Sequence, residues 1–172
     1  MNIPQALLPL SSALNILSSD LFEEGLKLSR ESPRKRIILP MHKSSDASMH
    51  RMLNFIQPGS YIRPHNHSTS NKTESVIVIK GTIQFFTFFE DGTIDKKCII
   101  GGASKNFGVD IEPDVFHAFF ALEEDTIVFE SKPGPYDKET DKLFAEWAPE
   151  EGTEDALFYM EMLKDWEMEK DD

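Results

Sequence analysis

Three patterns of apolar spacing follow one another along the chain. Residues 5–30 read as helical, and SSDLFEEGLKLSR places Leu21, Phe22, Leu26 and Leu28 near one face. Asp20 or Ser19 can cap the start, and Glu23 and Glu24 fall in the first turn, where the helix dipole favours acids. Pro33 ends this segment. From about Arg36 to Lys132 short runs rich in Ile, Val and Phe alternate with turn signals: RIILPMH, MHRMLNFI, SYIRPHNH, SVIVIK, TIQFFTFF, KKCIIG, NFGVDI, VFHAFFAL and DTIVFES. Pro58-Gly59, Gly81, Asp91-Gly92, Gly101-Gly102 and Pro113-Asp114 punctuate them, and FFEDGTI reads as a hairpin whose Asp91-Gly92 supplies a positive φ. Strands at this spacing without intervening helices predict a sandwich or barrel.

Several strands are apolar on both parities. TIQFFTFF carries Ile83, Phe85 and Phe89 on one face and Phe86 and Phe88 on the other. Such strands need cover on both sides, from the N-terminal helix, the C-terminal segment or a second subunit, and a homodimer is the expectation. The third pattern is an amphipathic helix in TEDALFYMEMLKDWEMEK, with Ala156, Tyr159, Met160, Leu163 and Trp166 at helical spacing and Thr153, Glu154 and Asp155 at its start. The linking stretch KPGPYDKETDKLFAEWAPEEG holds Tyr136, Leu143, Phe144 and Trp147, and predicts an ordered strap. The expected layout is one domain: a helical extension over 1–33, a β-barrel over 34–135, and strap plus acidic helix over 136–172.

Composition narrows the function. The net charge of −12 argues against binding to nucleic acid or to anionic membrane. Most of it sits after Lys138, where thirteen Asp or Glu face three Lys. No apolar run approaches the ~20 residues that span a bilayer. The N-terminus lacks the charge and cleavage pattern of a signal peptide, and one cysteine, Cys98, excludes an intrachain disulfide; the expected location is cytoplasmic. Cys98 carries no catalytic expectation.

The chemistry-bearing stretch is PHNHSTSNKTE. In a strand His65 and His67 project to one face, as ligands of one ion require. Glu74 opens the next strand and adds a charged oxygen donor; His117, in PDVFHAFF, supplies a third imidazole. Three His and one Glu leave one or two coordination positions for water or substrate. Taken singly, each has an ordinary reading, as a polar loop or a core histidine; the set in order is what points to a metal. Arg63 shares the parity of the histidines, and a guanidinium there suits a carboxylate or phosphate, unless it pairs internally with an acid such as Glu130. Lys72 can reach the pocket mouth, His42 can line the site, Tyr136 can close one end, and His50 reads as a surface strand residue.

Gly59, His65, His67, Glu74 and Gly81 resemble the first cupin motif, G(x)5HxH(x)3–4E(x)6G, with six residues instead of three or four between His67 and Glu74. IEPDVFHAFF resembles the second motif, but has Asp114 at the Gly position and no later Asn. From about Glu31 to Gly152 the chain is similar to the WbuC family of cupin-fold metalloproteins, through the long His-to-Glu spacing with Lys72, the SPRKRIILPMH segment, the DG hairpin and the tail FESKPGPYDKETDKLFAEWAPEEG. The resemblance implies an all-β cupin double-stranded β-helix holding one divalent transition metal (Zn, Fe, Mn or Ni) on His65, His67, Glu74 and His117. It associates the chain with surface-polysaccharide metabolism, hence with a small anionic sugar-derived ligand. A metal-dependent isomerase or epimerase, an iron-dependent oxygenase and a non-catalytic ligand-binding cupin are all compatible with that fold.

Overall fold

A computed structural model describes residues 4–166. Its strands pair in a nested order. A hairpin joins β5 (Thr82–Phe88) to β6 (Ile94–Gly101), turning at Gly92 with φ 88°. Outside it β4 (Glu74–Lys80) pairs with β7 (Gly108–Ile111), then β3 (His65–Asn66) with β8 (Phe116–Ala121), then β2 (Met49–Ile56) with β9 (Thr126–Pro133), all antiparallel. One long ribbon is thus rolled up, with successive pairs alternating between two sheets. β1 (Arg36–Pro40) and β10 (Leu143–Phe144) complete five-stranded sheets of order β1-β2-β9-β4-β7 and β10-β3-β8-β5-β6. This is the double-stranded β-helix, or jelly roll, of the cupin type.

The doubly apolar strands are covered from within the chain. Between the sheets lie Ile56, Val76, Ile83, Phe85, Ile111, Phe119 and Val128. On the outer face of the second sheet, Phe86, Phe88 and Phe120 pack under Ala156, Met160 and Leu163 of α2 (Glu154–Asp165) and against Trp147 of the strap. Full burial of each such side chain is worth about 1.5–3 kcal/mol. Thr153 caps α2 by accepting from Ala156 N, and Lys97 Nζ donates to the Lys164 and Trp166 carbonyls at its C-terminal end. Phe85, Phe86 and Phe88 are thus buried within the chain, whereas Phe89 stays 56% exposed.

On the first sheet, α1 (Ser19–Glu31) lays Leu21, Phe22 and Leu26 over Leu53, Phe55 and Ile127. Gly25 permits the approach, because a Cβ there would stand 2.3 Å from the Phe55 ring. The helix is shorter than the sequence reading: residues 5–18 are not helical, and the cap is Ser18. Pro9 cannot donate inside a helix, whereas β1 is an edge strand with open backbone groups. Residues 5–10 take those groups instead, with Leu7 N donating to Ile38 O at 2.8 Å and Leu10 N to Pro40 O at 3.1 Å. No helix among the described residues is long and apolar enough to cross a membrane.

Candidate metal centre

The polar part of the barrel interior begins where the apolar cluster ends. Phe85 stacks on His117 at 6.0 Å, and beyond His117 the inward side chains turn polar. β3 brings His65 opposite His117 of β8, with ring centroids 4.6 Å apart. Glu74 arrives from the first sheet at the start of β4. The six-residue loop from Ser68 to Thr73 makes that crossing: Asn71, at φ 51°, donates to Ser68 O, and Lys72 N to His67 O. His65, His67, Glu74 and His117 are each at most 3% exposed, and one ligand atom from each lies within 4.8 Å of the others.

The backbone settles the tautomers. His65 Nδ1 lies 2.9 Å from Arg63 O, His117 Nδ1 lies 2.9 Å from Val115 O, and His67 Nδ1 bonds to Asp141 O. A carbonyl only accepts, so each Nδ1 carries a proton, and in its neutral form each ring turns its Nε2 lone pair inward. Those lone pairs meet acceptors or nothing. His117 Nε2 stands 3.1 Å from Glu74 Oε2, His67 Nε2 stands 3.5 Å from Glu74 Oε1, and the Nε2 atoms of His65 and His67 have no hydrogen-bond partner. Burial opposes the Glu74 charge, but hydrogen bonds from His117 and His67, when their Nε2 atoms carry a proton, together with Lys132 outweigh it and hold its pKa well below the usual carboxylate range. Burial, with Lys142 and His117 nearby, keeps the His65 pKa well below its ordinary value, favouring the neutral ring. With the rings neutral, their Nε2 lone pairs surround an ionised carboxylate with no proton between them, an arrangement that fits a cation. Imidazole nitrogens with one carboxylate suit a first-row transition ion.

A second ring of charge backs Glu74. Lys132, on β9, reaches Asp141 Oδ2 at 2.7 Å, Glu74 Oε1 at 3.7 Å and Glu130 Oε1 at 3.7 Å. Asn54 Nδ2 donates to Glu130 Oε2 at 3.0 Å. Burial and the Glu74 charge push the Glu130 pKa up to about 8. Burial works against the Lys132 ammonium, yet Glu130, Glu74 and Asp141 raise its pKa overall. Lys132, Asp141 and Asn54 are absent from the sequence reading, which offered Glu130 only as an internal partner for Arg63. The signal for Glu130 and Lys132 lay in the strand parity of TIVFESKP, which puts Val128, Glu130 and Lys132 on one face.

The other expected residues sit elsewhere. Arg63 precedes β3, where strand parity does not apply; its Nη2 donates to Ala145 O at 2.8 Å and its Nη1 lies 3.9 Å from Glu150. Lys72 is buried, bonding to Pro135 O and lying 3.4 Å from Asp141 Oδ1. His42 Nδ1 bonds to the Arg51 backbone, and its ring stacks at 4.0 Å on His50, which in turn faces Tyr136 at 6.4 Å. His50 is therefore a buried residue, tied to Ser45 O, and no surface residue. A surface cleft of about 590 Å³, lined by Arg34, Gly59, Tyr61 and Leu157, does not include the four donors. They lie instead beneath the strap, which Ala145 N ties to Pro64 O at 2.9 Å.

The profile of a family described as a domain of unknown function (DUF6016) matches residues 17–100. No curated protein matches the chain. Among solved structures, the chain is similar to an L-ribose isomerase of Cellulomonas parahominis solved with L-psicose (15% identity, 66% of this chain and 70% of that one, TM-score 0.49). It is similar to KdgF of a Halomonas species (16% identity, 63% and 86%, TM-score 0.48). A third is the capsular polysaccharide assembling protein CapF of Staphylococcus aureus (20% identity, 63% and 29%, TM-score 0.49). Strand nesting and donor set together make this chain a cupin-type jelly roll with a buried cluster of three histidines and one glutamate.

Proposed function

We propose that the protein binds one divalent transition metal through His65, His67, Glu74 and His117 and uses it to bind or transform a small anionic, sugar-derived metabolite. The observation that carries the metal is the set of inward Nε2 lone pairs facing the Glu74 carboxylate with no donor between them. Bound there, the metal supplies Lewis-acid character toward a carbonyl or hydroxyl oxygen. The chain's own residues prepare that state. The Arg63, Val115 and Asp141 carbonyls fix three ring orientations, Lys132 keeps Glu74 ionised and in place, and the strap limits water. The ligand class follows from the resemblance of Glu31 to Gly152 to the WbuC family and its association with surface polysaccharide.

Elemental analysis of protein purified without a polyhistidine tag tests the reading. About one equivalent of a single transition metal is expected for a site of this donor set. Occupancy below about a tenth of an equivalent after anaerobic purification, with no uptake from added zinc, iron, manganese or nickel, overturns it. A screen of sugar acids and sugar phosphates by thermal shift, followed by product analysis of any hit, separates an enzyme from a binding protein.

A further inference from the structure

Lys142 is the interior charge that neither the donor set nor the fold employs. It lies between Asp141, whose carbonyl accepts a hydrogen bond from His67 Nδ1, and Leu143, which pairs with Asn66 across β10 and β3. The strap at this point runs directly over the histidines. The residue is half-buried, and burial together with the charges of Lys132, Glu130, Glu74 and Asp141 acts on its amine. After burial, its charge is the largest influence lowering the His65 pKa. The other two lysines of this interior are matched: Lys132 and Lys72 both lie against Asp141. Lys142 has no hydrogen bond or ion pair within 4.0 Å among the described residues, although burial and Lys132 both work against its charge. An unmatched ammonium in such a place costs stability, a pattern that functional sites tolerate and structural ones seldom do.

The charge count adds an independent argument. With the Glu130 pKa raised to about 8, that carboxyl is largely protonated at neutral pH, and Glu74 and Asp141 do not offset Lys72, Lys132 and Lys142. A dication on the four donors adds to this excess of positive charge in a poorly solvated interior. Such a space is completed by an anion. Lys142 is the half-exposed member of this otherwise buried set, so a ligand entering from solvent meets it first.

We propose that Lys142 is the anion-binding group of the site, receiving the carboxylate or phosphate of a small ligand whose other oxygen faces the four metal donors. This rests on the metal-binding reading above and names the residue that confers its preference for anions; Arg63, engaged with Ala145 and Glu150, does not fill that role.

Calorimetric titration of zinc-loaded protein tests it, with D-galacturonate and D-glucose 6-phosphate as anionic probes and D-galactose and D-glucose as neutral controls. At least one anion should bind about tenfold or more tightly than its neutral counterpart, as one charge-assisted hydrogen bond provides. Lys142→Met should remove that preference while leaving zinc content and neutral-sugar affinity unchanged, and Lys142→Arg should restore it. The melting temperature of Lys142→Met should equal or exceed the wild type, which shows that lost binding is not lost folding. Equal anion affinity in wild type and Lys142→Met, or no binding of either anion, overturns the inference. Zinc content is measured on the same samples, so failure of the metal reading is seen separately; the wild-type and Lys142→Met comparison is also run on chelator-treated protein and decides the role of Lys142 there too.

Discussion

Lys132 and Glu74 face each other at 3.7 Å inside the barrel, from neighbouring strands of one sheet. Lys132→Met leaves Glu74, Glu130 and Asp141 with less compensation in a buried space. Stability without metal should fall by about 3–5 kcal/mol, as for other broken buried pairs. A dication supplies the missing positive charge, so saturating zinc should raise the melting temperature of this variant more than that of wild type. Calorimetric scans with and without zinc measure both shifts, and an equal metal-induced shift contradicts the electrostatic coupling.

The four donors should separate metal affinity from folding. His65→Ala and His117→Ala should each weaken zinc binding by at least about a hundredfold, read by competition with a chromogenic chelator. His65 Nε2 has no partner to lose, so the metal-free His65→Ala protein should stay folded in circular dichroism. Unchanged zinc affinity in either variant means that the donors are misassigned.

Glu151 predicts an acid limb. Its carboxylate bridges Arg34 at 2.7 Å and Arg36 at 2.7 Å, joining the end of the strap to the start of β1. Burial would raise its pKa, but the bonds to Arg34 and Arg36 overcome that and lower it. A carboxylate depressed by folding stabilises fully above its unfolded pKa, near 4.5, and loses that contribution as the pH falls through the lower folded value. Glu151→Gln should cost about 1–2 kcal/mol at pH 7, a figure reduced for its partial exposure. Its urea midpoint should then change less than that of wild type between pH 5 and pH 3; parallel pH curves refute this role.

The acidic C-terminal helix should be required as a cover. Met160 is 2% exposed and packs over Phe86 and Phe120. Met160→Asp places a charge against those rings and should destabilise the fold by about 3 kcal/mol or more. Light scattering should then show self-association through the uncovered sheet, and dye binding should rise. A monodisperse, equally stable variant removes α2 from the core.

Most of the strands were legible because turn residues mark their ends. Asp91-Gly92 and Gly81 did so without tertiary help. The donors were legible because two lie two apart in one strand and the others open or enter strands through recognisable breaks. Residues 5–18 misled because Leu7, Leu10 and Leu14 imitate a helical face, while the backbone demand of β1 decided their conformation. Lys142 and Asp141 left no trace for a different reason. They lie in a strap whose path is set by contacts with β3 and β9, and no periodic rule assigns a side to a residue there.

Main-chain carbonyls, supplied by Arg63, Val115 and Asp141, orient the three imidazoles. In evolutionary terms this makes the His65 and His117 tautomers heritable without conserved side chains at positions 63 and 115. Those two residues can drift in identity while the rings keep their aim, provided the local backbone path survives; Asp141 is held as well by its side-chain pair with Lys132. Point substitution at 63 or 115 is a poor way to detune the centre, whereas an insertion or deletion in the strap would turn His67 without changing the identity of any donor.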